Sequence, residues 1–295
     1  MKKKAKIIFM GTPKFAVPAL KALYKNNQNV ALVVTQPDRP KGRGRKIIPS
    51  PVKEVAINLR YELDQPSSVR TVEFADRIAT HKPDIIVVVA FGHIIPKNIL
   101  EIPKIAAINV HASLLPKYRG PAPIQWAIIN GETETGVTTM LMDEGMDTGD
   151  ILLSSKINIF SDDTSGTLHD RLANLSADAL IQTIKRMETG HITPISQNHA
   201  QATYAPLLKK NDGRINWEMP AQTLEAFIRG MTPWPGAFTF HGNKRLKIFK
   251  AMPIIIDTVD TPGTVIKRFP GELCVATGKG VLSVISIQGE SGKRL

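Results

Sequence analysis

Two rhythms of apolar residues alternate through the first two-thirds of the chain. Short apolar runs at 6–10, 30–34, 85–90 and 106–110 predict β-strands; the unbroken ones suit strands covered on both faces. Between them the period changes. Phe15, Ala19, Leu20 and Leu23 recur at helical spacing over 15–24, and helices are also predicted at 51–59 and 72–81. Alternation of this kind predicts an α/β fold with a doubly wound, parallel, Rossmann-like sheet.

Further on, Asp163, Thr164, Ser165 and Thr167 supply short oxygen side chains that can satisfy the open N–H groups of a helix running towards Thr189, with Gly190 as its stop. Residues 191–208 have no clear period and contain Pro194 and Pro206, which predicts a linker. After it come one helix, at 220–229, and short strands at 238–240, 246–249, 263–267, 273–276 and 281–287, separated by glycine-containing turns. That pattern predicts a small OB-like β-barrel. The expected division is therefore a first domain over 1–190, a linker over 191–208 and a second domain over 209–295.

Charge changes this picture. The formal net charge is +12. Residues 209–295 hold 13 Lys+Arg against 7 Asp+Glu, so half of the excess sits in the smaller domain. A basic barrel can serve as a nucleic-acid platform, although a basic surface with no polyanionic partner has the same composition. The single cysteine, Cys274, excludes an intrachain disulfide and lies in an alternating run that predicts a buried, inert thiol. The apolar run 7–10 is too short for the core of a signal peptide, and no stretch approaches the ~18 residues of a membrane span. A cytoplasmic protein is expected.

Candidate chemistry gathers at the end of the fourth strand, in Asn109-Val110-His111 and the residues that follow. Side chains two apart on a strand share a face, so Asn109 and His111 emerge together at the carboxyl edge of the sheet, where open α/β folds bind ligands. An amide and an imidazole there can donate to an oxygen that gains negative charge. An isolated pair of this type is equally what a satisfied histidine beside a turn looks like. A second polar cluster, from Met142 to Ile151, places Asp147 between Gly145 and Gly149, which suits a tight loop holding a carboxylate near a ligand, although a turn of self-bonding carboxylates has the same composition. Asp143, Asp147 and Asp150 lack the spacing of an EF-hand, and no Cys/His cluster has zinc spacing, so no metal is expected. Another cluster is basic: Arg39, Lys41, Arg43, Arg45, Lys46 and Lys53 stand against one acid, Asp38, just after the second strand.

The stretch NVHASLLPKYRGPAPIQWAIINGETETGVTTMLMDEGMDTGDIL closely resembles the folate-dependent formyltransferases. The resemblance extends to FMGTPKFAVPAL, TQPDRPKGRGRK, VVVAFGHIIP, DDTSGTL and MTPWPGAF, and so spans nearly the whole chain. It implies a catalytic trio of Asn109, His111 and Asp147. It also implies a site for 10-formyltetrahydrofolate formed by Ser113, Leu114, Leu115 and Pro116, with Phe91, Gly92, Ile94 and Ile95 lining a pterin pocket. In the reaction it implies, the α-amine of methionine on the initiator tRNA attacks the formyl carbon. Asn109 and His111 would stabilise the oxyanion, and Asp147 would help carry a proton from the amine towards the leaving nitrogen. The basic loop, with Arg43 at its centre, would meet the acceptor end of the tRNA. Arg39, Lys41, Arg45 and Lys46 would assist it.

Relatives with other acceptors, glycinamide ribonucleotide or an amino sugar nucleotide, share the trio, so the acceptor rests on the basic loop and the basic second domain. A deformylating hydrolase and an RNA-binding module on an inactive scaffold are the remaining alternatives. A monomer is expected. Members of the family usually continue beyond the position of Leu295.

Overall fold

The structure, a computed structural model, describes residues 4–41, 46–267, 270–289 and 292–295. It divides into two compact units that do not follow the linear order of the chain. The first comprises Met1–Arg119, Gly136–Lys156 and Asp170–Tyr204; the second comprises Gly120–Thr135, Ile157–His169 and Ala205–Leu295.

The first unit is built on β1 (Lys6–Gly11), β2 (Asn29–Val34), a two-stranded ribbon of β3 (Arg39–Lys41) and β4 (Lys46–Ile48), β5 (Leu63–Asp64), β6 (Ile85–Val89), β7 (Ala106–His111), β8 (Glu134–Leu141) and β9 (Ile151–Asn158). Seven of these form one sheet in the order β5-β2-β1-β6-β7-β8-β9. Pairing is parallel from β5 through β7. Helices α1 (Val17–Lys25), α2 (Pro51–Asn58), α3 (Val72–Thr80) and α4 (Lys97–Leu100) connect those strands. Strand order reverses between β1 and β6, and a doubly wound sheet opens its ligand crevice at such a reversal.

The central strands are apolar on both sides. Ile8, Met10, Leu32, Val34, Ile86 and Val88 pack with Phe74 and Ile78 of α3 in one core cluster. Their odd-numbered neighbours Ile7, Phe9, Val33, Ile85 and Val87 are also fully buried. A side chain of this size stabilises by ~1.5–3 kcal/mol on full burial, so the middle of this sheet is a rigid base for the loops above it. Helix starts follow their expected chemistry. Ser50 accepts from Lys53 N at 3.0 Å to cap α2, with Pro51 at its first position, and Thr71 accepts from Phe74 N at 3.2 Å to cap α3.

The structure adds three features to this expected α/β fold. The sheet is not parallel throughout: β8 runs antiparallel to β7, with Asn109 opposite Met140 and His111 opposite Thr138. Thr135, Val137, Thr138 and Thr139 are the β-branched residues that favour this strand. The first helix is preceded by a 3-10 turn, Lys14–Ala16. The linker at 191–208 is not a free connection. Ile195 exchanges two backbone hydrogen bonds with Ile151 at 2.8 and 2.9 Å, Arg119 N donates to Thr203 O at 2.8 Å, and residues up to Tyr204 belong to the first unit.

In the second unit, α5 (Pro123–Ile129), the start of α6 (Ser165–Thr189) and α7 (Ala221–Met231) accompany a five-stranded antiparallel sheet. Its strands are β10 (Ala237–His241), β11 (Lys244–Ile254), β12 (Val265–Ile266), β13 (Leu273–Ala276) and β14 (Val281–Gln288), in the order β10-β11-β14-β13-β12. Thr164 accepts from Thr167 N at 3.2 Å, and Thr167 Oγ1 donates to Asp163 at 2.9 Å, so the threonine-rich start of α6 is the cap the sequence predicts. Leu224, Ile228 and Met231 of α7 pack on Ile248, Ala251 and Leu282 of the sheet, with Trp126 and Ile129 of α5 against them. Helix α5 was not expected, because its sequence opens in a Gly/Pro-rich stretch; Pro123 stands within its first turn, where a missing N–H costs nothing. Cys274 is fully buried, and burial raises its thiol above its ordinary value.

Candidate active site

The parallel strands end where the candidate residues begin. Asn109 and His111 close β7, and their shared face follows from the pleat. Asn109 is half-buried and His111 is buried. Asp147 comes from the loop after β8, 38 residues on, and meets both. Asn109 Nδ2 donates to Asp147 Oδ1 at 3.3 Å, and His111 Nδ1 stands 3.6 Å from Asp147 Oδ2. The three predicted residues form one constellation.

The imidazole is oriented from its other side. His111 Nε2 lies 2.9 Å from the carbonyl oxygen of Tyr118, which can only accept. Nε2 therefore carries a hydrogen, and Nδ1 is the nitrogen turned towards the carboxylate. At 3.6 Å the Nδ1–Asp147 pair is longer than a hydrogen bond, as catalytic pairs often are before substrate tightens them. The second amide hydrogen of Asn109 has no partner among the described residues.

The Asp147 loop is shaped by local turns. Asp143 Oδ1 accepts from Gly145 N at 3.1 Å and from Thr148 Oγ1 at 2.7 Å, the self-bonded turn that such a cluster forms. Asp147 itself has φ +55°, a left-handed backbone that costs a residue with a Cβ roughly 1–2 kcal/mol. A Cβ at Gly149 would strike the Leu141 carbonyl, so this position requires glycine for space.

The expected folate residues occupy two neighbouring segments. After β6, Ala90 has φ +47° and Gly92 has φ +84°, which turns the chain sharply. Phe91 and Ile95 point into the core, whereas Gly92 and Ile94 are exposed. After β7, Ser113 donates to Lys117 O at 2.6 Å, and Leu115 N donates to buried Thr138 Oγ1 at 3.2 Å. Ser113 and Leu115 are buried, and Leu114 and Pro116 are half-buried. An exposed isoleucine beside an open glycine backbone suits a flat heteroaromatic ring with amide-like edges. No group of His, Cys, Asp and Glu among the described residues could hold a metal ion.

The Phe91 carbonyl accepts from Thr12 Oγ1 and Gln36 Nε2, both at 2.9 Å, which ties the ends of β1, β2 and β6 together. Gln36 leads into the basic segment, whose root is clamped. Lys53 Nζ donates to Asp38 Oδ2 at 2.6 Å and Gln65 Nε2 donates to Asp38 Oδ1 at 2.8 Å. The segment is a ribbon: Arg39 pairs with Ile48, and Lys41 with Lys46 in backbone register. Arg39 is exposed. Arg43 and Arg45 lie outside the described residues, as do the side chains of Lys41 and Lys46.

The hydrogen bonds from Lys53 and Gln65 hold the Asp38 carboxyl below its ordinary value of 3.8. A depressed carboxylate contributes its stabilisation in full above that ordinary value and loses it only as pH falls through the lower, folded one. Trypsin cleavage of the ribbon should therefore run at a constant rate ratio, relative to an unfolded standard, between pH 8 and pH 6. Asp38→Asn should accelerate it several-fold at neutral pH. A variant cleaved no faster than the parent would show that the pair does not hold the ribbon.

Two residues of the first unit complete this region without having been singled out as site residues. Arg119 is 2% exposed, and Gln197, within the expected linker, is 6% exposed and bonds to the backbone of the Asp147 loop. An arginine in a glycine- and proline-rich stretch right after the strand was the available signal for the first. Gln197 carried none.

Comparison with known proteins gives two family matches. Residues 4–184 match the model described as Formyl transferase, and residues 207–295 match Formyl transferase, C-terminal domain. The methionyl-tRNA formyltransferase of Desulfotalea psychrophila is 52% identical over 99% of this chain and 91% of its own length. That of Caldanaerobacter subterraneus subsp. tengcongensis is 49% identical over 98% of this chain and 94% of its own. Among solved structures, an N-formyltransferase from Helicobacter canadensis, in complex with folinic acid and dTDP-3-aminofucose, superposes with a TM-score of 0.70. It covers 97% of this chain and all of that one at 20% identity, a likeness of fold alone.

Proposed function

The chain belongs to the formyl transferase family, and from that premise we propose that it transfers the formyl group of 10-formyltetrahydrofolate to the α-amine of methionyl-tRNA, the initiator species. The observation that carries the acceptor is identity of about half the residues with methionyl-tRNA formyltransferases along nearly the whole chain. The clamped basic ribbon beside the crevice and the excess of Lys and Arg within residues 209–295 fit a polyanionic acceptor, which a small amine would not need.

When bound, 10-formyltetrahydrofolate supplies the formyl carbon as an electrophile on N10. The segments holding Phe91, Gly92, Ile94 and Ile95 and holding Ser113, Leu114, Leu115 and Pro116 would receive its pterin. Asn109 turns its open amide hydrogen towards the oxygen that gains charge, a preorganised donor that needs no reorientation during the reaction. Because its Nε2 hydrogen is held by Tyr118, His111 takes the proton of the attacking amine at Nδ1 in place of the oxyanion contact that the resemblance implies. Asp147 stabilises the imidazolium so formed, and the same proton then returns to the leaving nitrogen. Arg39, Lys41, Arg43, Arg45 and Lys46 make phosphate contacts with the tRNA. The same reading has the enzyme working as a monomer in the cytoplasm, where translation takes place.

The test offers 10-formyltetrahydrofolate with charged initiator tRNA, glycinamide ribonucleotide or a dTDP-linked amino sugar. Formylation of tRNA alone is expected, and formylation of a small acceptor instead would sink the acceptor assignment. Arg43→Ala should raise KM for tRNA and flatten its dependence on salt by about one unit of log–log slope. Folate affinity should stay within about twofold; equal loss of both would mean a damaged crevice.

A further inference from the structure

A buried arginine beside the trio has a neutral partner. The guanidinium of Arg119 donates from Nε and Nη2 to one oxygen, Gln197 Oε1, at 3.2 and 2.6 Å, and Nη2 also lies 3.0 Å from His199 Nδ1. A guanidinium has donors only, so the oxygen of the Gln197 amide must face Arg119. Its nitrogen then faces the other way and donates both hydrogens into the Asp147 loop, to Asp147 O at 2.9 Å and Gly149 O at 2.7 Å. The usual ambiguity of an amide's two ends is resolved here by chemistry.

We propose that Gln197 is a positioning residue for formyl transfer, which fixes the Asp147 carboxylate against Asn109 and His111, with Arg119 setting the direction of its amide. Two carbonyls converge on one NH2 group, a demand that carboxylate and hydroxyl side chains cannot meet. The residue between Gly145 and Gly149 carries a left-handed backbone, so the loop requires outside support to keep its carboxylate in place. The support is itself anchored. Ile195, two residues before Gln197, is paired with Ile151, and the chain beyond it is tied to Tyr118 and Arg119 through Thr203. The same strap therefore holds the residue that orients His111 and the loop that presents Asp147. This proposal rests on the reading of Asp147 as a catalytic residue.

Gln197→Glu is the discriminating variant. The carboxylate still fills the site and pairs with Arg119, but it presents an acceptor to two carbonyls. Expected is a fall in kcat of about 10- to 100-fold, as for a misplacement of about an ångström, with KM for both substrates within about twofold. Gln197→Met, which lacks donor and acceptor alike, should match it. Rates are taken per folate-binding site, so that partly folded material does not count. In an Asp147→Asn background, Gln197→Glu should cost less than about twofold further, because a residue acting through Asp147 has nothing left to position.

Full activity of Gln197→Glu, a loss confined to KM, a full further loss in the double variant, or loss of folate binding in both Gln197 variants would each overturn the proposal. The last would make the pair a scaffold for the crevice. Full activity of Asp147→Asn would instead overturn the catalytic reading of Asp147. An impaired Asp147→Asn beside an intact Gln197→Glu would sink the positioning role alone.

Discussion

Replacing His111 by alanine should lower kcat for formyl transfer by about 10²–10⁴-fold, the usual worth of a positioned acid–base group. The imidazole holds its Nε2 hydrogen on the Tyr118 carbonyl and keeps Nδ1 beside Asp147, so its loss removes the group turned towards that carboxylate. Folate affinity should change by less than about threefold, because binding falls to other segments. The Tyr118 carbonyl loses a hydrogen-bond donor, which costs about 1–3 kcal/mol of stability in a buried position. Single-turnover rates with saturating folate and tRNA, beside a thermal melt, separate these effects. A rate within tenfold of the parent would show that the amine loses its proton elsewhere.

Gly149→Ala should have a second large effect by a different route. The added methyl collides with the carbonyl of Leu141, a residue of β8 whose N–H donates to Asp150 O at 2.9 Å. A strand within a sheet yields less than a loop, so the loop moves and carries Asp147 with it. A shift of about an ångström can cost about 100-fold in rate, and overpacking adds about 1–3 kcal/mol of instability. The variant should keep its folate affinity while losing turnover. Normal turnover with a normal melt would mean that the loop absorbs the methyl without moving its carboxylate.

Much of the first unit was legible because strong local signals agreed with the packing. The runs at 7–10 and 85–89 became strands buried on both faces, and in the second unit Thr164 caps the helix it precedes. The shared face of Asn109 and His111 followed from strand period alone. Asp147 did not, since its approach depends on the antiparallel β7–β8 pairing, which the alternation of strands and helices conceals. Gln197 was hidden for a related reason: a residue whose partners are backbone carbonyls of a distant loop leaves no periodic trace. Residues 191–208 lack a period because isolated bridges and side-chain bonds, rather than a regular element, hold them.

The helix that follows β7 has a bearing on which segments of such a protein can be exchanged. Helix α5 is enclosed by the second unit, where Gly230 of α7 leaves room for Ile129 and the Gln125 carbonyl. A gene fusion that exchanged only residues 209–295 would bring in a sheet and an α7 shaped for a different α5. An exchange that keeps α7 with its own α5 must therefore move Gly120–Thr135 and Ile157–His169 together with the carboxyl-terminal part.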